Sequence, residues 1–150
     1  MNIEKNLLID GVVAIEPWQT IQCISQVPEQ APVFDGHFPG RPILPGVLMV
    51  ELMAQAGGFL YMLSSDFDKM AFLVNIKQAK FNGFVAPGEQ LQADVRITHR
   101  ADSYLVCEGV LKSTDVVARA QWMLRLMPFD NDVLRQAVQH TVLDCQGRHR

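Results

Sequence analysis

The sequence predicts an α+β fold in which a long antiparallel sheet wraps one apolar central helix, and three observations carry that expectation. Gly46–Leu63 has Glu51 and Gln55 as its only carboxylate or amide side chains, and it starts at Pro45-Gly46 as helices often do. Gln90–Thr98 alternates Leu91/Ala93/Val95/Ile97 against Gln92/Asp94/Arg96/Thr98, and Val116–Leu126 places Ala118, Ala120, Trp122 and Leu124 on one side, opposite Arg119, Gln121 and Arg125. Each such strand has one dry face and one mostly wet face. Turn signals at Pro87-Gly88 and Ala101-Asp102-Ser103 separate the runs. A helix with no wet face is either wrapped by protein or sits in lipid. Lipid is disfavoured here, because a carboxylate near the middle of a lone span costs at least about 2.5 kcal/mol and the flanks lack a basic anchor.

The remaining elements follow in order. Asn6–Glu16 and Gln19–Gln26 are β-rich runs broken at Glu16-Pro17, the second alternating Ile21/Cys23/Ser25 against Gln22/Ile24/Gln26. Ala71–Phe81 and Tyr104–Lys112 join the two alternating runs in an expected meander of four strands after the helix. Asp130–Gln139 predicts a short terminal helix capped by Asp130, Asn131 or Asp132, with Val133, Leu134, Ala137 and Val138 on its apolar side, and the last ten residues read as loose. This gives a domain over 1–129 and a tail over 130–150.

Composition narrows the function. A chain of 150 residues is one domain's length and hides roughly 68–70% of its unfolded surface. With 49% hydrophobic residues, 19% charged and a net charge of −3, it lacks the excess charge of disordered or nucleic-acid-binding chains. Met1–Asp10 carries Glu4, Lys5 and Asp10 and no long apolar run, so no signal peptide and a cytoplasmic location are expected. Cys23, Cys107 and Cys145 are far apart and show no C-x-x-C pairing, which predicts reduced, mostly buried thiols. The spacing of His140, Cys145 and His149 matches no standard metal site, and neither metal nor cofactor is expected.

Chemistry concentrates in Phe34–Gly46, a loop pinned by three prolines and three glycines. Backbone fixed this way can hold a side chain at a site. Its His37 is a candidate base, with hydrogen bonding to a loop carbonyl as the plainer role. Glu51, on the second turn of the helix, is a candidate acid if burial keeps it protonated, and Gln55 shares its face at i+4. Alternatively, the pair satisfies itself or meets Arg41. The first helical N–H groups, around Gly46 and Val47, have no intrahelical acceptor and suit a developing oxyanion. A base, an acid and an oxyanion donor around an apolar slot are the parts for removing a proton α to a carbonyl and expelling a β-hydroxyl.

The run Gly36-His37-Phe38-Pro39-Gly40-Arg41-Pro42-Ile43-Leu44-Pro45-Gly46-Val47-Leu48, followed by Glu51 and Ala54-Gln55, resembles the signature of bacterial 3-hydroxyacyl-acyl carrier protein dehydratases of fatty acid synthesis, which have the hot-dog fold. Weaker similarity runs from Leu7-Leu8-Ile9-Asp10 to the strand ending near Leu126. The resemblance implies that His37 abstracts the C2 proton, that Glu51 protonates or positions the departing hydroxyl, that the Gly46 backbone holds the thioester carbonyl, and that Gln55 supports the acid. Glutamate at 51 and Val47 after Pro45-Gly46 resemble the general Z-type enzymes, whereas dehydratase-isomerase relatives have aspartate and usually cysteine there. The resemblance further implies an acyl carrier protein partner and a homodimer that pairs His37 of one subunit with Glu51 of the other, often as a trimer of dimers.

The chain departs from that pattern at Asn75-Ile76-Lys77-Gln78 and at Asn82-Gly83-Phe84, near the expected tunnel mouth, and lacks the usual aromatic segment before Leu7-Leu8. A paralogue serving polyketide or polyene assembly fits these departures as well as housekeeping lipid synthesis does. Lys77, Lys80, Arg96 and Arg100 read either as a basic patch for the carrier or as scattered surface charge. Met49, Met53, Phe59, Tyr61 and Met62 read as core, some of them as tunnel lining. A hot-dog acyl thioesterase and a non-catalytic acyl-binding module stand as the other functions to test.

Overall fold

In the computed structural model, which describes residues 1–148, the chain runs β1 (Gly11–Glu16), β2 (Thr20–Gln26), α1 (Pro32–Gly36), α2 (Gly46–Ser64), β3 (Met70–Phe81), β4 (Gln90–Arg100), β5 (Tyr104–Lys112), β6 (Val116–Met127) and α3 (Asp132–Gly147). The six strands form one antiparallel sheet in the order β1-β2-β4-β5-β6-β3. Helix α2 lies across one face of it, touching β2 through β6. This is the expected sheet around a central helix. By length and composition α2 could cross a membrane, but 67% of its most apolar window is buried inside the fold.

The faces read from the sequence on β2, β4 and β6 are the ones that meet α2, and β5 adds a dry face of its own. Ile21, Cys23 and Ser25 of β2, Leu91, Ala93 and Val95 of β4, Leu105, Cys107 and Leu111 of β5, and Ala118, Ala120, Trp122 and Leu124 of β6 are all buried. Gly57 lets the helix approach this layer: a Cβ there would meet Cys107, Leu124 and Trp122 at 3.4 Å. Met49, Met53, Tyr61 and Met62 are core residues, while Phe59 is half-buried.

Three expectations are corrected. The four strands after α2 do not form a meander. Only β4, β5 and β6 do, while β3 crosses to the far side of β6 and β2 pairs with β4. Residues 82–89, between β3 and β4, are held away from a tight hairpin by the hydrogen bonds Asn82 N–Val117 O (2.8 Å) and Leu44 N–Val85 O (2.7 Å). The run Asn6–Glu16 is a strand only from Gly11. Before it, Leu7 pairs with Asn2 in an isolated bridge and Leu8 turns to side chains: Leu8 N donates to Gln55 Oε1 (3.0 Å), and Ser25 Oγ donates to the Leu8 carbonyl. The terminal helix is longer than Asp130–Gln139 and continues through Gly147. Asn131 accepts from Leu134 N at 2.9 Å as its cap, and the buried Val142 and Cys145 anchor a stretch that read as loose.

Candidate active site

The loop before α2 is held by its own backbone. Phe38 N donates to Arg41 O (3.0 Å) and Arg41 N to Phe38 O (2.9 Å), while Ile43 N donates to His37 O (2.9 Å). Gly40 supplies the turn at φ 76°, a conformation that favours glycine. Within this frame the half-buried His37 ring stacks on Phe38, with centroids 4.2 Å apart, and its Nδ1 lies 3.0 Å from the Ile43 carbonyl oxygen. A carbonyl only accepts, so Nδ1 carries the hydrogen and Nε2 is left with its lone pair. The loop-carbonyl bond and the candidate base are therefore compatible: the bond fixes the tautomer that a base needs.

Pro45 precedes the first turn of α2 and offers no side-chain cap, so the Gly46 and Val47 N–H groups keep the open character of a helix start. The Phe81 ring of β3 packs on Gly46, where a Cβ would stand 3.0 Å from the ring edge. Val47 is 75% exposed. One turn further, Glu51 Oε1 accepts from Gln55 Nε2 (3.0 Å) and from Asn6 Nδ2 (3.3 Å). Gln55 also donates to the Asn6 carbonyl (2.9 Å). The acid and its amide partner thus form the expected i, i+4 pair, with Arg41 absent from it. Arg41 instead sits 5.6 Å over the Phe84 ring.

Asn6 and Phe81 were not legible as site residues. Asn6 is 45 positions from Glu51 in the chain, and its only local signal is a left-handed turn residue at φ 52°. Within one chain His37 and Glu51 share no hydrogen-bond partner: the first bonds Ile43, the second Asn6 and Gln55. Glu51 is half-buried rather than enclosed.

Of the basic residues considered for a carrier patch, Lys80 and Arg96 line one concave surface of the sheet together with Arg119. Arg96 pairs with Glu108 and Arg100 lies 4.2 Å over the Trp18 ring. Among the described residues no group of three or more His, Cys, Asp or Glu side chains could hold a metal ion; His149 lies outside them. Burial pushes the Cys23 and Cys107 thiols from an ordinary 9.0 up to about 12, so neither is a nucleophile at neutral pH.

A family model described as the FabA-like domain matches residues 3–121. The chain belongs to this family. Among similar proteins, a "3-hydroxyacyl-[acyl-carrier-protein] dehydratase FabZ" of a Nitratiruptor species is 40% identical over 110 residues, 69% of this chain and 74% of that one. The protein of the same name from Campylobacter concisus is 37% identical over 131 residues, 83% of this chain and 88% of its own. Among solved structures, smu.793 of Streptococcus mutans UA159, bound to acetyl CoA, superimposes with a TM-score of 0.61 at 16% identity, covering 81% of this chain and 90% of that one. The dehydratase heterocomplex ApeI:P of Xenorhabdus doucetiae gives 0.60 at 16%, covering 76% and 96%. The family likeness and these superpositions together establish the hot-dog fold.

Proposed function

We infer that this chain is a 3-hydroxyacyl-acyl carrier protein dehydratase of fatty acid biosynthesis, converting the thioester to its trans-2-enoyl form and water. The observation that carries the chemistry is the His37 ring, held by Ile43 so that Nε2 is the free base beside an open helix start. In this reading Nε2 takes the C2 proton and the C2–H electron pair moves toward the thioester carbonyl. The Gly46 N–H meets the oxygen as it gains charge, and Val47 presents the neighbouring N–H. Glu51, supported by Gln55, gives its proton to the C3 hydroxyl as the C–O bond breaks, so a C2–C3 double bond and water form. The proton on His37 then returns to Glu51, restoring both groups. The carboxyl must start protonated, and dry surroundings favour that form of a carboxyl group.

A homodimer supplies those surroundings. Strand β3 is an open edge, and Phe72, Leu73, Val74, Ile76 and Phe81 along it are exposed in the single chain. An edge this long and apolar calls for a partner strand. Pairing two β3 edges sets His37 of one subunit toward Glu51 of the other, and dimers of this kind can assemble further into a trimer of dimers. The substrate partner is a carrier protein loaded with the 3-hydroxyacyl thioester, the location is cytoplasmic, and no metal or cofactor takes part. Residues 1–129 carry the enzyme, and 130–150 form an appended segment.

The deciding experiment follows enoyl absorbance with 3-hydroxyacyl-carrier protein and with the matching coenzyme A ester. General acid–base groups contribute typically 10²–10⁴-fold, so His37→Ala and Glu51→Gln should each cut turnover at least about 100-fold with melting temperature preserved. A near-native rate for His37→Ala would sink the assignment. Thiol release from an acyl thioester without a β-hydroxyl would point instead to hydrolysis, and tight acyl binding without turnover to a non-catalytic module.

A further inference from the structure

Two side-chain amides converge on Glu51, and their donors and acceptors can be followed atom by atom. The Leu8 N–H, which can only donate, bonds Gln55 Oε1 at 3.0 Å. That fixes which way the Gln55 amide faces. Its nitrogen donates one hydrogen to the Asn6 carbonyl (2.9 Å) and the other to Glu51 Oε1 (3.0 Å). Asn6 Nδ2 donates to the same carboxyl oxygen at 3.3 Å. Two N–H groups therefore meet on Oε1, while Oε2 has no hydrogen-bond partner among the described residues.

Asn6 is placed by its backbone. It belongs to a turn in which Asn2 N donates to Leu7 O (2.7 Å), Leu7 N to Asn2 O (2.9 Å) and Asn6 N to Ile3 O (3.0 Å). Its φ of 52° lies in the left-handed region, which asparagine enters more readily than most residues with a side chain. Asparagine thus meets two needs at this point, a left-handed backbone and a side-chain donor. The residue falls in the segment before Leu7-Leu8, one of the places where the chain departs from the pattern it resembles.

We propose that Asn6 is a positioning residue for the acid: with Gln55 it occupies Oε1 of Glu51, so that Oε2 carries the proton that leaves with the C3 hydroxyl. The inference rests on the dehydratase reading for its reaction. In a protonated carboxyl one oxygen bears the hydrogen and the other is the better acceptor, so two N–H donors on Oε1 set the hydrogen on Oε2. As that proton passes to the hydroxyl oxygen, the C3–O bond breaks, its electron pair leaves with the water, and Glu51 is left ionised. The N–H groups on Oε1 meet the charge as it forms, and hydrogen bonds to a charged acceptor are the strong ones. They act on the transition state more than on bound substrate.

Asn6→Gly removes the donor and keeps the turn, because glycine takes positive φ readily, so the carbonyl that receives Gln55 stays in place. Asn6→Asp keeps the shape of the side chain and turns a carboxylate oxygen toward Glu51 where the N–H was. Turnover is followed by enoyl absorbance with 3-hydroxyacyl-carrier protein, in the native background and in Glu51→Gln. Losing a hydrogen bond to a charged group slows a reaction by roughly ten- to hundredfold. In the native background kcat should fall at least about tenfold in Asn6→Gly and further in Asn6→Asp, with KM unchanged. In Glu51→Gln the same substitutions should cost less than about twofold, because the group through which Asn6 acts is gone. An unchanged kcat in Asn6→Gly, or an equal loss in both backgrounds, would overturn the inference and leave the dehydratase reading intact. If Asn6→Gly fails to fold, Asn6→Asp compared across the two backgrounds still decides. A native chain that forms no enoyl from any substrate defeats the dehydratase reading, and the inference with it.

Discussion

Gln55 uses both ends of its amide on the site. Its oxygen accepts from Leu8 N, and its nitrogen donates to the Asn6 carbonyl and to Glu51. One side chain therefore fastens the N-terminal segment to α2 and holds Glu51, the proposed acid. Gln55→Ala leaves the part-buried Leu8 N–H without its partner, while the exposed Asn6 carbonyl turns to water. One such orphaned group costs roughly 1–3 kcal/mol. Urea denaturation should show a loss of that order, and kcat should fall more than KM rises, because the amide orients the acid without binding the acyl group. A change in KM alone would show that Gln55 serves the fold only. At this scale the sequence was informative about type and spacing, since Glu51 and Gln55 four apart must share a face. It was silent about Asn6, whose contact with Glu51 depends on where the first ten residues fold back.

At the scale of elements, the helix–sheet interface depends on close fits at glycine. Gly109 of β5 pairs with Ala120 of β6 and lies diagonal to Trp122, and a Cβ there would stand 2.9 Å from the indole and 3.1 Å from Val95. Those neighbours are themselves packed against α2, so they have little room to move. Gly109→Ala should therefore destabilise by about 1–3 kcal/mol, the usual range for overpacking, measured as a lower denaturation midpoint with unchanged slope.

The strands β2, β4 and β5 are also pinned through Asp94. Burial raises its carboxyl, but hydrogen bonds from Lys112 and Gln22 at 2.8 Å and from Gln92 at 3.1 Å outweigh that and hold it below its ordinary 3.8. A depressed pKa contributes stability that is present above 3.8 and lost as pH falls through the lower folded value. Cys23 and Cys107 act at the other end. Their raised pKa values favour the fold below pH 9.0, and that contribution is lost as pH climbs toward about 12. A pH series of urea midpoints should decline on both flanks. Asp94→Asn should flatten the acid flank only, and an acid flank identical to the native one would refute the role given to Asp94.

For the whole molecule the open β3 edge is the decisive feature. Val74 is 51% exposed in the middle of that strand, and Phe84 beyond it is 68% exposed. In the proposed homodimer this surface is covered by the second copy, and Glu51 becomes more enclosed in the same step. Val74→Lys places a charge on the pairing edge, a device that blocks edge association. In size-exclusion chromatography with light scattering it should shift the protein to monomer, and turnover should fall in parallel. A monomer with native turnover would show that one chain holds a complete site.

The sequence alone determined the central helix and the dry faces of β2, β4 and β6, and it singled out as candidates the His37 loop, the Glu51–Gln55 pair and the helix start at Gly46 and Val47. Those are local matters, governed by periodicity, by glycine and proline, and by which residue types do acid–base work. Tertiary structure decided that β3 leaves its chain neighbour β4 for β6, that Asn6 reaches Glu51, that Phe81 covers Gly46, and that α3 folds against Ile9. Each of these joins residues far apart in the chain, and such contacts follow from which surfaces can be buried together, a competition among all segments at once that no local pattern records.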